Sequence, residues 1–347
     1  MQVGIVGYGR FGRALGGLLE ECGHDFRALD PSAVIPADKR AVDLQDLLSE
    51  ARFLALAVPV PMLRRVLEAV EPHVGGDHVV FDVSSVKAGP CRWMEEVLGP
   101  SRPFAGTHPL FGPVSLSRAE RPLRVVLCPS PLHARAAEDI RGLFESLGCE
   151  VLLQSPEDHD RVMATTHALT FFLAKGLLDV GAGAELPFAP PSFHAIQHTL
   201  ESVREDAGHL FATLQNQNPY AAGARARLLE SMESIHRDLA EAVEEGEAAL
   251  HLAIPDLGTR SPQLQEVRDV IDALDRELLD LLARRLELSR RAARAKAELG
   301  TAVLDPAREA RLMEDRRTWA GEKGIDAQGV EDVFRAVLRL SRRAQGG

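Results

Sequence analysis

Apolar residues keep two different rhythms along this chain. In the first half they come as short runs, each followed by a stretch in which they recur every three or four residues, the alternation expected of strands and helices. Strands are expected from Gln2 to Val6 and Phe26 to Leu29, then at Phe53–Val58, His78–Asp82, Phe104–Ala105, Arg124–Cys128 and Glu150–Leu153. Helices are expected around Leu15, Leu18 and Leu19, at Met62–Val70 and at Pro131–Leu147. This order predicts an α/β domain with a doubly wound parallel sheet over residues 1–153. Beyond Leu153 the helical period takes over, at Arg161–Val180, Ser192–Asn216 and Tyr220–Leu252, with a rigid break at Pro187–Pro191. Residues 154–253 therefore read as an all-α layer, and 254–261, rich in proline, glycine and polar residues, as a linker. In residues 262–347 Leu264, Val267, Ile271, Leu274, Leu278, Leu281 and Leu288 follow a heptad spacing. One helix from Pro262 to about Leu299 would be roughly 55 Å long, too long to be covered by the rest of that segment, so an intertwined homodimer is expected.

Composition narrows the function. A formal charge of −11 and a pI near 5.6 offer no broad cationic face for nucleic acid, and the basic stretch Arg284–Lys296 is local. Cys22, Cys91, Cys128 and Cys149 form no C-x-x-C pair, and the first strand begins at residue 2 with no signal peptide before it. A cytoplasmic protein with reduced thiols is the expectation. No apolar run approaches the ~20 residues of a spanning helix. No His/Cys cluster has metal-ligand spacing, and the histidines between His194 and His209 read as solvated or cleft-lining. The acidic stretch Glu241–Glu247 reads as a solvated helix face.

Candidate chemistry stands at both ends. The first strand runs directly into Gly7-Tyr8-Gly9-Arg10-Phe11-Gly12, a G-x-G-x-x-G turn of Rossmann type. Its glycines permit a tight turn and close approach of backbone to a pyrophosphate at a helix N-terminus. Asp30 ends the second strand, where a carboxylate suits the ribose 2′-hydroxyl of NAD rather than a 2′-phosphate. At later strand ends lie two polar clusters, Asp82-Val83-Ser84-Ser85-Val86-Lys87 and Gly106-Thr107-His108-Pro109-Leu110-Phe111-Gly112. Near the C-terminus, the seam position due between Leu281 and Leu288 is Arg285, a cation costly to bury unless an anion meets it. Lys296 falls about three turns on, on nearly the same face. Two cations converging inside a helical bundle suggest a pocket for a small dianion.

The C-terminal pattern of Arg268, Arg285, Lys296, Asp305, Arg308, Glu309, Ser341 and Gln345 resembles the all-helical chorismate mutases. The resemblance implies that Arg285 and Arg268 grip the two carboxylates of chorismate, Arg268 entering from the partner chain. It further implies that Lys296 and Gln345 face the ether oxygen, that Glu309 and Asp305 take the ring hydroxyl, and that Arg308 and Ser341 support the carboxylate contacts. Residues 1–245, through D-x-x-S-V-K, G-x-H-P-x-x-G and His159-Asp160-Arg161, resemble the prephenate dehydrogenases of the TyrA family. This implies that His108 takes the ring hydroxyl's proton as hydride leaves for NAD, and that Ser85 orients His108 and the nicotinamide. Two places depart from the family. Glu201 stands where relatives carry a substrate-binding arginine, with Arg204 three residues on, and Phe171 replaces a histidine, with His167 one turn earlier. Together the resemblances imply a bifunctional enzyme of tyrosine biosynthesis acting on chorismate and prephenate, as a homodimer without nucleic-acid or membrane partners. The departures leave open arogenate or the 4-amino analogues as substrates, or a regulatory dehydrogenase-like module beside an active mutase.

Overall fold

Seven strands form one sheet in the order β2-β1-β3-β4-β5-β6-β7: β1 Gln2–Val6, β2 Asp25–Leu29, β3 Phe53–Leu56, β4 Val79–Asp82, β5 Phe104–Pro109, β6 Leu123–Cys128 and β7 Cys149–Leu153. The computed structural model describes residues 1–117, 122–182, 190–205, 208–245, 264–299 and 306–345. Every residue of β3 and β4 is buried, as befits strands covered on both faces. The helices between strands are α1 Arg10–Glu21, α2 Leu44–Leu48, α3 Val60–Val70, α4 Ala88–Leu98, α5 Pro113–Ser117 and α6 Ala134–Ser146. Leu54, Leu56 and Val80 from the sheet, Leu63 and Leu67 from α3, and Met94 and Leu98 from α4 pack into one core. Burial of this apolar surface is the main force holding helices to sheet.

The sheet departs from the all-parallel expectation at one pair. β5 and β6 run antiparallel, with His108 opposite Val126, while every other pair is parallel. Parallel neighbours need a long crossover, usually through a helix that packs back on the sheet. Among the described residues, the connection from β5 to β6 holds only the five-residue α5.

The helical layer consists of α7 Pro156–Met163, α8 Leu169–Asp179, α9 Pro191–Glu205, α10 Gly208–Asn216 and α11 Ala221–Glu245. Ser155 caps α7 by accepting from the Asp158 amide, with Pro156 in the first turn. Between α7 and α8 the chain makes one wider π turn, Ala164–Ala168. Ala168, Phe171, Leu214 and Ala221 form a second small core that joins these helices.

By their internal contacts the residues fall into two units, Met1–Val114 with Pro122–Pro255, and Ser115–Arg121 with Asp256–Gly347. The sheet and the helical layer share the first. The second contains α12 Leu264–Glu298, α13 Pro306–Glu322 and α14 Ala327–Gln345. At 35 residues, α12 is about 52 Å long. The turn from α13 to α14 closes on Gly324 at φ +65, with the Ile325 amide reaching back to the Ala320 carbonyl. The linker 254–261, Pro262 and residues 187–189 of the expected break lie outside the described residues, as do the side chains of His194, His198, His209 and Glu241–Glu247.

Candidate functional site

The glycine loop is built by steric necessity. Gly7 has φ +95, and a Cβ there would lie 2.5 Å from the Ala57 carbonyl oxygen. At Gly12 a Cβ would come within 2.1 Å of the Gly7 carbonyl, so α1 can start close against β1 only with glycine present. At Gly9 a Cβ would meet nothing within 4 Å, which leaves an open cradle at the start of α1. No side chain caps that helix, and its first turn has no acidic residue. The Tyr8 amide donates to Asp30 Oδ2 at 2.8 Å, whereas Asp30 Oδ1 accepts from the Ser32 amide and hydroxyl and the Ala33 amide. Burial pushes the Asp30 carboxyl up, but these hydrogen bonds outweigh it and leave its pKa lowered, hence a carboxylate. Arg10 is exposed, and Phe11 is half-buried with its ring 6.2 Å from that of Phe111. This end of the sheet is also where the strand order reverses, between β1 and β3, the crevice in which such folds bind ligands.

Further along the same edge lies a polar cluster beneath β4 and β5. Lys87 is fully buried, and its ammonium donates to Asp82 Oδ2 and to the Thr107 carbonyl, both at 2.5 Å. The Ser84 hydroxyl also donates to Asp82 Oδ2, and the Thr107 amide reaches Asp82 Oδ1 at 3.3 Å. Asp82 and Lys87 thus bolt the loop after β4 to β5. His108 is 4% exposed, with Nδ1 2.8 Å from His159 Nε2. His159 Nδ1 in turn lies 2.8 Å from Asp160 Oδ1. The His167 ring stacks near-parallel to His108, 6.4 Å between centroids, and meets Phe171 edge-on at 5.0 Å. Burial first, then the nearby His159, Lys87 and His167, lowers the pKa of His108 well below that of a free histidine. Burial, then His159, lowers that of His167 too. A neutral imidazole in this position is chemically a proton acceptor.

Ser85 is half-buried, and no hydrogen bond joins it to His108. His159 takes that place. Sequence reasoning singled out His159-Asp160 as a motif but not as a partner of His108, since a separation of 51 residues gives no local signal. Phe171 is buried in the helical core, 3% exposed, while Glu201 and Arg204 are exposed on α9.

In the second unit Arg285 is half-buried and donates from Nη1 to the Ser341 hydroxyl, which itself donates to the Val337 carbonyl at 3.0 Å. Burial, then the guanidinium of Arg316, lowers the pKa of Arg285. Arg316 is clamped over the rings of Trp319 and Phe334 at 4.6 and 5.4 Å. Glu309 is held by Arg342 through two hydrogen bonds of 3.2 and 2.7 Å, a partner that sequence did not suggest. Lys296 is half-buried and Arg308 exposed. Asp305 and the side chains of Arg268 and Gln345 lie outside the described residues.

Among the described residues, no cluster could hold a metal and no helix is long and apolar enough to cross a membrane. The model of the prephenate dehydrogenase nucleotide-binding domain matches residues 29–153, and that of type II chorismate mutase matches residues 267–346. A probable arogenate/prephenate dehydrogenase of Methanocaldococcus jannaschii is 29% identical over 172 residues, 47% of this chain and 38% of that protein. The T-protein of Enterobacter agglomerans is 42% identical over 79 residues, 23% of this chain and 21% of that protein. The chain thus spans less than half the length of either relative. Among solved structures, prephenate dehydrogenase from Aquifex aeolicus in complex with hydroxyphenyl propionate and NAD+ superposes with a TM-score of 0.58. It is 18% identical, and the match covers 80% of this chain and 97% of that one.

Proposed function

The chain belongs to two families at once, the prephenate dehydrogenases through residues 29–153 and the type II chorismate mutases through residues 267–346, and on that premise we propose that it is a bifunctional enzyme of tyrosine biosynthesis. The second unit converts chorismate to prephenate. The first oxidises and decarboxylates prephenate to 4-hydroxyphenylpyruvate with NAD.

The oxidation rests on one observation above others: a buried imidazole, His108, kept neutral by its surroundings at the edge where the glycine loop opens. NAD, when bound, supplies the hydride acceptor. Its pyrophosphate suits the cradle at Gly9 and the uncapped amides of α1, with Tyr8, Arg10 and Phe11 on the loop around it. A carboxylate at Asp30 accepts ribose hydroxyls and repels a 2′-phosphate. His108 accepts the ring hydroxyl's proton as the carbinol hydrogen leaves with its electron pair. The ring ketone so formed draws the electrons released on loss of carbon dioxide, and an aromatic ring results. Ser85, half-buried on the loop before Lys87, is left the role of orienting the nicotinamide, since His159 and not Ser85 holds His108.

The mutase reaction is a pericyclic shift and needs no base. Catalysis there consists of holding the compact conformer and stabilising charge on the breaking ether. Arg285, oriented by Ser341, and Arg268 of the partner subunit bind the carboxylates, guanidinium supplying paired donors. Lys296 and Gln345 face the ether oxygen, Glu309 and Asp305 the ring hydroxyl, and Arg308 supports a carboxylate. The protein acts as a homodimer. Leu274, Leu278 and Leu281 on α12 are more than half exposed in the single chain, an apolar face that a second copy would cover. Its compartment is the cytoplasm, where the four cysteines, which form no disulfide, stay reduced.

Purified protein given chorismate and NAD should consume chorismate and form NADH. His108→Asn should cut NADH formation from prephenate by orders of magnitude with mutase turnover retained, and Arg285→Ala should do the converse. Chorismate loss without NADH would favour a regulatory first unit. The exposed carboxylate of Glu201 makes arogenate and the 4-amino analogue of prephenate the substrates to compare, because an amino group would meet it favourably.

A further inference from the structure

The chain Asp160–His159–His108 determines which nitrogen of His108 carries a proton. Asp160 is fully buried and accepts at both oxygens from backbone, Oδ1 from the Lys87 amide at 2.7 Å and Oδ2 from the Ala88 amide at 2.9 Å. Its own carbonyl accepts from Asn218 Nδ2 at 2.8 Å, so the residue is fixed from three sides. A carboxylate only accepts. The 2.8 Å contact with His159 Nδ1 therefore requires a proton on that nitrogen. A neutral His159 has one ring proton, which leaves a lone pair on Nε2. That lone pair lies 2.8 Å from His108 Nδ1. If Nδ1 were bare, two lone pairs would face each other in a site closed to water. His108 must therefore donate from Nδ1, and its Nε2 is left unprotonated.

We propose that His159 and Asp160 are positioning residues that hold His108 in the Nδ1–H tautomer and so present its Nε2 as the base for the substrate hydroxyl. This rests on the reading of the first unit as a dehydrogenase. Neither residue touches the substrate; both act through His108. The same chain steadies the charge when His108 takes a proton, since the Nδ1–H bond then becomes charge-assisted and points toward the Asp160 carboxylate. The charged and titratable groups around His108 are His159 and Asp160 from α7, His167 from the π turn, and Lys87, paired with Asp82, from the loop after β4. Asp160 is the anion aligned with its ring through His159. In serine hydrolases a buried aspartate fixes a catalytic histidine's tautomer, and substituting it with asparagine costs about 10⁴-fold in turnover. Here a second imidazole stands between the two.

The test is nitrogen-15 NMR of the full chain labelled at histidine, read with steady-state kinetics. His108 in the wild-type protein should show a protonated Nδ1 and a bare Nε2. His159→Leu removes the acceptor. It should mix the tautomers and lower kcat for prephenate oxidation on the order of 10²-fold, with KM for NAD and mutase turnover unchanged. His159→Gln restores an acceptor oxygen toward Nδ1 and a donor toward Asp160, and should recover the tautomer and most of the lost kcat. A protonated Nε2 in the wild type, or a His159→Leu variant with unchanged tautomer and kcat, would overturn the inference. The spectrum separates the two claims: the expected tautomer in a protein that oxidises none of the candidate substrates would remove the dehydrogenase reading and leave the tautomer assignment standing.

Discussion

A lysine with no exposed surface is the most consequential single residue of the first unit. Lys87 offsets the desolvation of its ammonium only through Asp82 and the Thr107 carbonyl. Lys87→Met should lower stability by about 3–5 kcal/mol, because it leaves a buried carboxylate unpaired; urea unfolding followed by circular dichroism will measure it. His108 sets the pH behaviour. Its folded pKa is depressed by burial, then by His159, Lys87 and His167, so the unfolded chain, with a histidine pKa near 6.5, binds the proton the folded state refuses. His167 contributes with the same sign. Stability from both groups should be complete above about pH 6.5 and decline as pH falls below it. By the same reasoning the acid limb of kcat/KM for oxidation should lie below about 6.5; a limb at or above that value would contradict a buried neutral base. The glycine loop and its aspartate were legible at this scale because their spacing is local. The partners of His108 and Glu309 were not, since His159 and Arg342 lie 51 and 33 residues away and nothing in the chain links them before folding.

At the scale of elements, period alone placed most strands within a residue or two, since β3 and β4 are buried runs bounded by turns. It missed the reversal of β6, because strand direction depends on the path of the connection and not on the strand's own residues. In α12 the heptad reading put Arg285 on the apolar seam with Leu281 and Leu288. In the folded unit those leucines are 56% and 41% exposed, and Arg285 turns instead toward Ser341 on α14. The helix thus offers one side to its own unit and a leucine stripe to something else. Replacing Leu274 and Leu281 together by glutamate should convert the proposed dimer to monomers, as light scattering would report, and abolish mutase turnover if, as proposed, each pocket takes Arg268 from the other copy. An unchanged mass would reject the intertwined dimer.

For the whole molecule, the proposed function joins two chemistries that need different things from a protein. The first unit needs a neutral base and a backbone cradle, which a sheet edge provides through strand ends and loop amides. The second needs fixed cations, which long helices provide at regular intervals. Formal charge of −11 over the chain hides this division, and only the spacing of Arg285 and Lys296 exposes it.

The wider turn at Ala164–Ala168 has a consequence for how this protein tolerates change. In a regular helix, eight residues leave His159 and His167 about 80° apart around the axis. A looser coil advances less per residue, takes up most of that angle and lets both imidazoles face one wall. Winding this stretch as a regular helix of the same length would preserve every functional group yet swing one ring about 80° from the other. Register counts here as much as identity: the winding of the coil between the two histidines decides whether their rings share a wall.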